Sequence, residues 1–331
     1  MHSRRSSFVM YFFVALMVWM MFPVTRAGAM DEAKPAHAFK KPIQIVVFNS
    51  PGGVSDLSAR VFADNLSRHI GQGVVVVNTI GAGGSIAAHK VDEAPKDGSM
   101  LLYIEEGTLT NHAAGTLDMS WRDFEIVSYF GGSSTQMMVT AKSTGFKDIK
   151  SMIEFAQKNG GELTTAITLG NPTHFQTSAL QRATGVKFRP IDVGTGSDKM
   201  TAILTGQVQT TPGSLDAMQD YITNGDLICL GMLAQDRSSL APDLPTIKEQ
   251  GYDLGGNFTK FFILGAPKGT PAEVVQALDY YTKVTLADSK TVEAYKKLYL
   301  DAEYKSGPEA VELLEQREGF YTELAKFMGL Q

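Results

Sequence analysis

From Ile43 almost to the end of the chain, short apolar runs alternate with helical stretches. The runs are apolar at consecutive positions, as in "IQIVVF", and not at every second one. A strand of that kind is buried on both faces, so helices must cover both sides of its sheet. "IQIVVF" leads through "NSPGG" to a helical pattern near Ser55 to Ile70, with Leu57, Val61, Phe62, Leu66 and Ile70 on one side. "GVVVVN" leads through "TIGAGGS" into "IAAHKVDEA", and "SMLLYIEE", "FEIVSYFG" and "QMMVTAK" follow. The alternation predicts an α/β fold with mainly parallel sheets.

A second unit repeats the pattern. "KDIKSMIEFAQKNG", "PTHFQTSALQRATG", "GSDKMTAILTG" and "DAMQDYITNG" read as helices between the strand-like "LTTAITLG", "VKFRPIDV", "QVQTTPG" and "LICLGMLA". "FFILGAPKGTP" adds one more strand, and three helical stretches with hardly any strand close the chain. Helices without strands of their own must pack onto a sheet that already exists. The expected arrangement is therefore two interleaved lobes, residues 41–141 plus 260–331 and residues 142–259, with the chain crossing between them twice.

The N-terminus stands apart. Arg4 and Arg5 precede an uncharged apolar run from Phe8 to Phe22, and Ala27-Gly28-Ala29 has the small-residue spacing of a cleavage site. The run is shorter than the roughly 20 residues that span a bilayer. Residues 1–29 are expected to be a signal peptide that is removed on export by the general secretory route, in preference to the twin-arginine one. Loss of Arg4, Arg5 and Arg26 takes the formal charge from −5 to −8. With an acidic balance and no Lys/Arg cluster, nucleic acid is excluded as a partner. Cys229 is the single cysteine, which excludes an internal disulfide and a cysteine-rich metal site.

In open α/β sheets, ligands sit beyond the carboxyl ends of strands, where helix starts favour anions. Five loops occupy such places. "SPGGVSD" carries Ser50, Pro51, Gly52, Gly53, Ser55 and Asp56. "NTIGAGGS" carries Gly81, Ala82, Gly83 and Gly84. "LGNPTH" carries Asn171, Thr173 and His174, "VGTGSD" carries Gly194, Thr195 and Gly196, and "TPGSLD" carries Ser214. Any one of them is explained by helix capping or a tight turn; five, divided between two lobes, point to a ligand cleft. "GAGGSI" departs from a dinucleotide fingerprint at Ile86, and "GGSIA" departs from a nucleophile elbow at Ala87. Histidines 37, 69, 89, 112 and 174 are scattered without metal spacing. Of these, His174 falls in a presumed first helical turn beside the cleft.

These residues resemble a known family. "PIQIVVFNSPGGVSDLSAR" is similar to the opening of the tripartite tricarboxylate transporter substrate-binding proteins, the Bug or TctC-like receptors, through Pro51, Gly52, Gly53, Asp56, Ala59 and Arg60. "VVVVNTIGAGGSIAA", "APKDGSMLL", "WRDFEIV", "LTGQVQ", "DRSSLAPDLPTIKEQGY" and "APKGTP" follow in the family's order. The resemblance implies a type II periplasmic-binding-protein fold whose two lobes close on a small organic carboxylate: a di- or tricarboxylate, an aromatic carboxylate or an acidic amino acid. It implies that the loops around Gly52, Gly53, Ser55, Asp56 and Gly81 to Gly84 hold a carboxylate end, with Glu105 to Thr108, including Gly107 and Thr108, as a third wall. Asp56 is expected to orient water or cap its helix, and Arg60 to form a structural ion pair. "GNPTHF", "RPIDVGTG" and "QTTPGS" depart from the family's usual residues, and this leaves the substrate open. The expected protein is a monomeric periplasmic receptor without cofactor or metal, delivering its ligand to membrane permease subunits. A ligand sensor using the same cleft, or an exported hydrolase-like enzyme using His174, are the alternatives.

Overall fold

The computed structural model describes residues 34–160, 162–194 and 196–330; the expected signal peptide, residues 1–29, lies outside them. Strand β1 (Ile43–Val47) is buried along nearly its whole length. Helix α1 (Val54–Ile70) lays Ala59, Phe62, Ala63 and Leu66 against the sheet, the stripe that a 3.6-residue period produces. The chain continues through β2 (Val74–Asn78), α2 (Ser85–Asp92), β3 (Met100–Ile104), α3 (Glu106–Ala113) and β4 (Phe124–Ser133). Then come β5 (Gln136–Ala141), α4 (Ile149–Lys158), β6 (Glu162–Ile167), α5 (Pro172–Thr184), β7 (Lys187–Asp192) and α6 (Gly196–Leu204). After β8 (Thr210–Ser214), α7 (Leu215–Thr223) and β9 (Leu227–Met232), the chain returns as β10 (Lys260–Pro267). It ends with α8 (Ala272–Ala287), α9 (Ser289–Lys297), β11 (Lys305–Ser306) and α10 (Gly307–Phe327).

Two sheets result, ordered β11-β4-β10-β3-β1-β2 and β7-β6-β8-β5-β9. β1 runs parallel to β2 and β3, and β6 to β7 and β8. β10 is antiparallel to β3 and β4, β11 to β4, and β5 to β8 and β9. Both sheets are therefore mixed, which corrects the expectation of mainly parallel ones. Unbroken apolarity reports burial on two faces and carries no information on direction. Direction follows from the crossings. Strands such as β1, β3 and β6 end at the gap between the lobes; β5 and β10 begin there, each bringing the chain in from the other lobe, and so run the opposite way.

The first crossing lies between Ser133 and Gln136. It does not follow residue 141, as expected, because β5 belongs to the second sheet. Here β4 and β10 pack backbone to backbone: a Cβ on Gly132 would lie 2.3 Å from the Lys260 carbonyl oxygen and 2.4 Å from the Tyr129 hydroxyl. Gly132→Val should cost about 1–3 kcal/mol as overpacking, seen as a lower urea midpoint; an unchanged midpoint would show that the crossing yields freely.

The first lobe is filled by Phe62, Tyr103, Phe130 and Phe262, whose ring centroids lie 4.5 to 6.0 Å apart. Helix α10 lies on β4 and α3 of the first lobe and also on α5 of the second. Its Tyr321 ring packs against Phe175 at 5.7 Å and Phe258 at 6.1 Å. The chain's last helix thus packs against both lobes.

Candidate functional site

The strand ends that meet at the gap enclose a cavity of about 580 Å³. From the first lobe, Phe48, Asn49 and Ser50 line it after β1, Ile80, Gly81, Gly83 and Gly84 after β2, Glu105 and Gly107 at the start of α3, and Asn111 further along that helix. From the second lobe come Thr168, Asn171, Pro172 and Thr173 after β6, and Gly194, Gly196 and Lys199 after β7. A smaller recess of about 150 Å³ shares Glu105, Gly107 and Pro172 with it, and adds Ser55, Glu106, Gln136 and Lys260.

The turn after β2 needs glycine. Gly83 has φ +61°, and a Cβ there would stand 2.9 Å from the Thr116 carbonyl oxygen. Asn111 Nδ2 donates to the Gly83 carbonyl at 2.8 Å, so α3 holds the turn in place.

Charged groups on both walls set the electrostatics. Lys199 occupies the first turn of α6, where the helix dipole disfavours a cation. Its Nζ donates to Thr168 Oγ1 at 2.6 Å and to the Gly194 carbonyl at 3.4 Å. An ammonium has three donors, so one is left for the cavity. Burial lowers the Lys199 pKa, against the pull of Asp192 and Asp198. Across the cavity, Glu105 accepts from Asn49 Nδ2 at 3.0 Å and from Ser55 Oγ at 2.6 Å. Burial raises its pKa, and those two bonds oppose the rise. At an effective dielectric near 20, a ligand carboxylate ~4 Å from ionised Glu105 would be repelled by about 4 kcal/mol. In the recess, burial pushes the Glu106 carboxyl up to about 7 although Tyr321 Oη donates to it. Lys260 is paired with Asp216 and also bonds Ser214 Oγ.

Of the candidates read from the sequence, Ser50, Gly81, Gly83, Gly84, Gly107, Asn171, Thr173, Gly194 and Gly196 line the cavity, and Ser55 lines the recess. Thr195 lies outside the described residues. Pro51, Gly52, Gly53, Asp56, Ala82, Thr108 and Ser214 line neither space. Asp56 is 2 % exposed, and its oxygens accept from the Gly52 amide, from Arg60 and from Asn78. Burial would raise its pKa, but the bonds from Arg60, Gly52 and Asn78 prevail and lower it. Asp56 is committed to the loop and to its ion pair with Arg60. Thr108 Oγ1 accepts from the Glu105 amide at 3.2 Å, and Ser214 holds Lys260.

His174 faces elsewhere. It lines a separate hollow with Thr177, Ser178, Gln181, Phe188, Phe327 and Met328, and its Nδ1 takes the Gly170 amide at 3.4 Å. One residue is about 100° around a helix, so with Thr173 toward the cavity, His174 is turned to the flank beside α10. Burial lowers its pKa. Cys229, on β9, has its thiol pushed up to about 11 by burial, far from a reactive thiolate. Among the described residues no group of three metal-ligating side chains occurs, and no helix is long and apolar enough to cross a membrane.

Sequence reasoning missed Lys199, Asn49, Asn111 and Thr168, and placed Glu105 only as part of a wall. Lys199 carried one usable signal, a cation in a first helical turn, where its charge is unfavourable unless something else requires it.

Residues 58–321 match the model of the tripartite tricarboxylate transporter family receptor, TctC. The UPF0065 protein of the gbd 5′ region of Cupriavidus necator is 32% identical over 260 residues, 76% of this chain and 76% of that one. The periplasmic binding protein BugD superposes with a TM-score of 0.74 at 28% identity, covering 88% of this chain and 99% of that one. R. palustris Rpa4515 with adipate superposes with a TM-score of 0.76 at 25% identity, covering 88% and 98%. With two mixed sheets facing each other across a lined cavity, and a family match over most of its length, the chain belongs to the tripartite tricarboxylate transporter receptors, a family of solute-binding proteins and not of enzymes.

Proposed function

We propose that this protein is a monomeric periplasmic receptor that closes its lobes over a small organic acid and delivers it to the permease subunits of a tripartite tricarboxylate-type transporter. The observation that carries this reading is the half-buried Lys199 ammonium, presented to a cavity otherwise lined largely by glycine turns and helix starts of both lobes. Such a lining takes an anion without covalent chemistry. The cavity's volume, about 580 Å³, falls in the range of small-molecule sites, about 300–1,000 Å³. Because the walls come from two lobes, a bound acid would bridge them and favour closure. Adipate in the R. palustris relative supports the ligand class. In the exported protein, residues 1–29 are removed.

A thermal-shift panel of adipate, citrate, succinate, aromatic carboxylates and acidic amino acids tests the reading. An acid present at 100 times its dissociation constant should add about 2.7 kcal/mol of stability. A melting point moved by a neutral sugar and by none of the acids would reject the carboxylate assignment.

A further inference from the structure

We infer that the cavity selects an aminocarboxylate, a ligand carrying an ammonium group as well as a carboxylate, with Glu105 as the residue that receives the ammonium. This rests on the carboxylate reading above and narrows it. The cavity has charged side chains of both signs on opposite walls, Lys199 from the second lobe and Glu105 from the first. The donors to the Glu105 side chain, Asn49 Nδ2, Ser55 Oγ and, in the capping box that opens α3, the Thr108 amide, are all neutral. Lys260, in the adjoining recess, is bonded to Asp216 and Ser214, so its charge reaches Glu105 only through space. Glu105 is thus an acid on the ligand side with no cation bonded to it among the described residues. A carboxylate offers about four acceptor positions, so one is left for a further donor.

The position matters as much as the charge. Glu105 and Gly107 line both the cavity and the recess, so Glu105 stands where the two meet. A plain dicarboxylate extending from Lys199 toward the first lobe would bring like charge to this acid. An amino acid bound by its carboxylate at Lys199 would bring its ammonium there, and each of the two cavity charges would meet its opposite. The same ion pairs would tie one lobe to the other. Glu105 is accordingly a specificity residue, and the selection is made as much by repulsion of diacids as by attraction.

Isothermal titration with matched probes tests this: aspartate against succinate, glutamate against glutarate, 2-aminoadipate against adipate, and alanine against propionate. In at least one pair the amino member should bind ten-fold or more tightly than its partner. Glu105→Gln, which keeps an acceptor for Ser55 or Asn49, should weaken that amino ligand at least ten-fold and tighten its unsubstituted partner where that partner is a diacid. The unliganded melting point of the variant, close to that of the parent, shows that the loss is not one of folding. If folding is disturbed, Glu105→Asp serves in its place and should weaken the amino member alone. Diacids that bind as well as or better than their amino counterparts, or a loss in Glu105→Gln shared equally by both members, would overturn the inference while leaving the carboxylate receptor intact. No binding by either series would overturn both.

Discussion

Glu106→Gln is expected to stabilise the unliganded protein by about 3 kcal/mol at pH 8 and to change little near pH 5, since a tenfold change in proton affinity corresponds to about 1.4 kcal/mol. The buried Glu106 carboxyl has its pKa raised from 4.5 to about 7, by burial above all. The sign follows from proton uptake. Below pH 4.5 the group is protonated in folded and unfolded chains alike and contributes nothing. Between pH 4.5 and 7 the unfolded chain releases its proton while the folded one retains it, so stability falls as pH rises. Above pH 7 the whole cost of an ionised, buried carboxylate is present. Glutamine removes that cost and still accepts from the Tyr321 hydroxyl, which lies 2.7 Å from Glu106 Oε1. Urea midpoints measured from pH 5 to pH 8 should diverge between the two proteins as pH rises. Parallel curves would mean that Glu106 is ionised at no cost, with Tyr321 and the neighbouring Arg317 compensating fully.

The second large effect concerns the ligand. Lys199→Met should weaken whichever acid gives the greatest thermal shift by at least about thirty-fold, the ~2 kcal/mol lower bound for truncating one partner of a buried charge pair. The empty protein should change little in stability, the lost bonds to Thr168 and Gly194 being offset by the removal of a desolvated charge. Its Lys199 is half-buried with a pKa lowered by that burial, so the ammonium is held against a desolvation cost that methionine does not carry. Affinity reduced less than three-fold would place the anion on the main-chain turns alone.

The architecture of alternating strands and helices was legible because burial on both faces leaves an unbroken apolar run, as in Ile43 to Val47, and because helices declare themselves by a 3.6-residue stripe. In α1 the reading found Phe62 and Leu66, but the buried face continues through Ala59 and Ala63 while Leu57 is exposed. The glycine-bearing loops were legible as strand-to-helix connections, and most of them do reach the cavity. Within a loop, however, the reading stopped. Ser50 lines the cavity while Asp56, in the same stretch, is consumed by Arg60, Gly52 and Asn78. Which residue of a turn points inward depends on dihedral angles and on partners such as Asn78, from a different strand.

Taken by itself, the chain's order of residues determined the α/β class, the two-unit organisation and the strand-to-helix loops, most of which line the cavity. All of these are properties of neighbours within a few positions of one another. Tertiary structure alone decided the reversed direction of β5 and β10, the turning of His174 toward α10, and the meeting of Lys199 with Glu105 across one cavity. Those two side chains are brought to facing walls by two crossings of the chain between sheets. Charges set so far apart along the chain come to line one cavity only once the fold has formed.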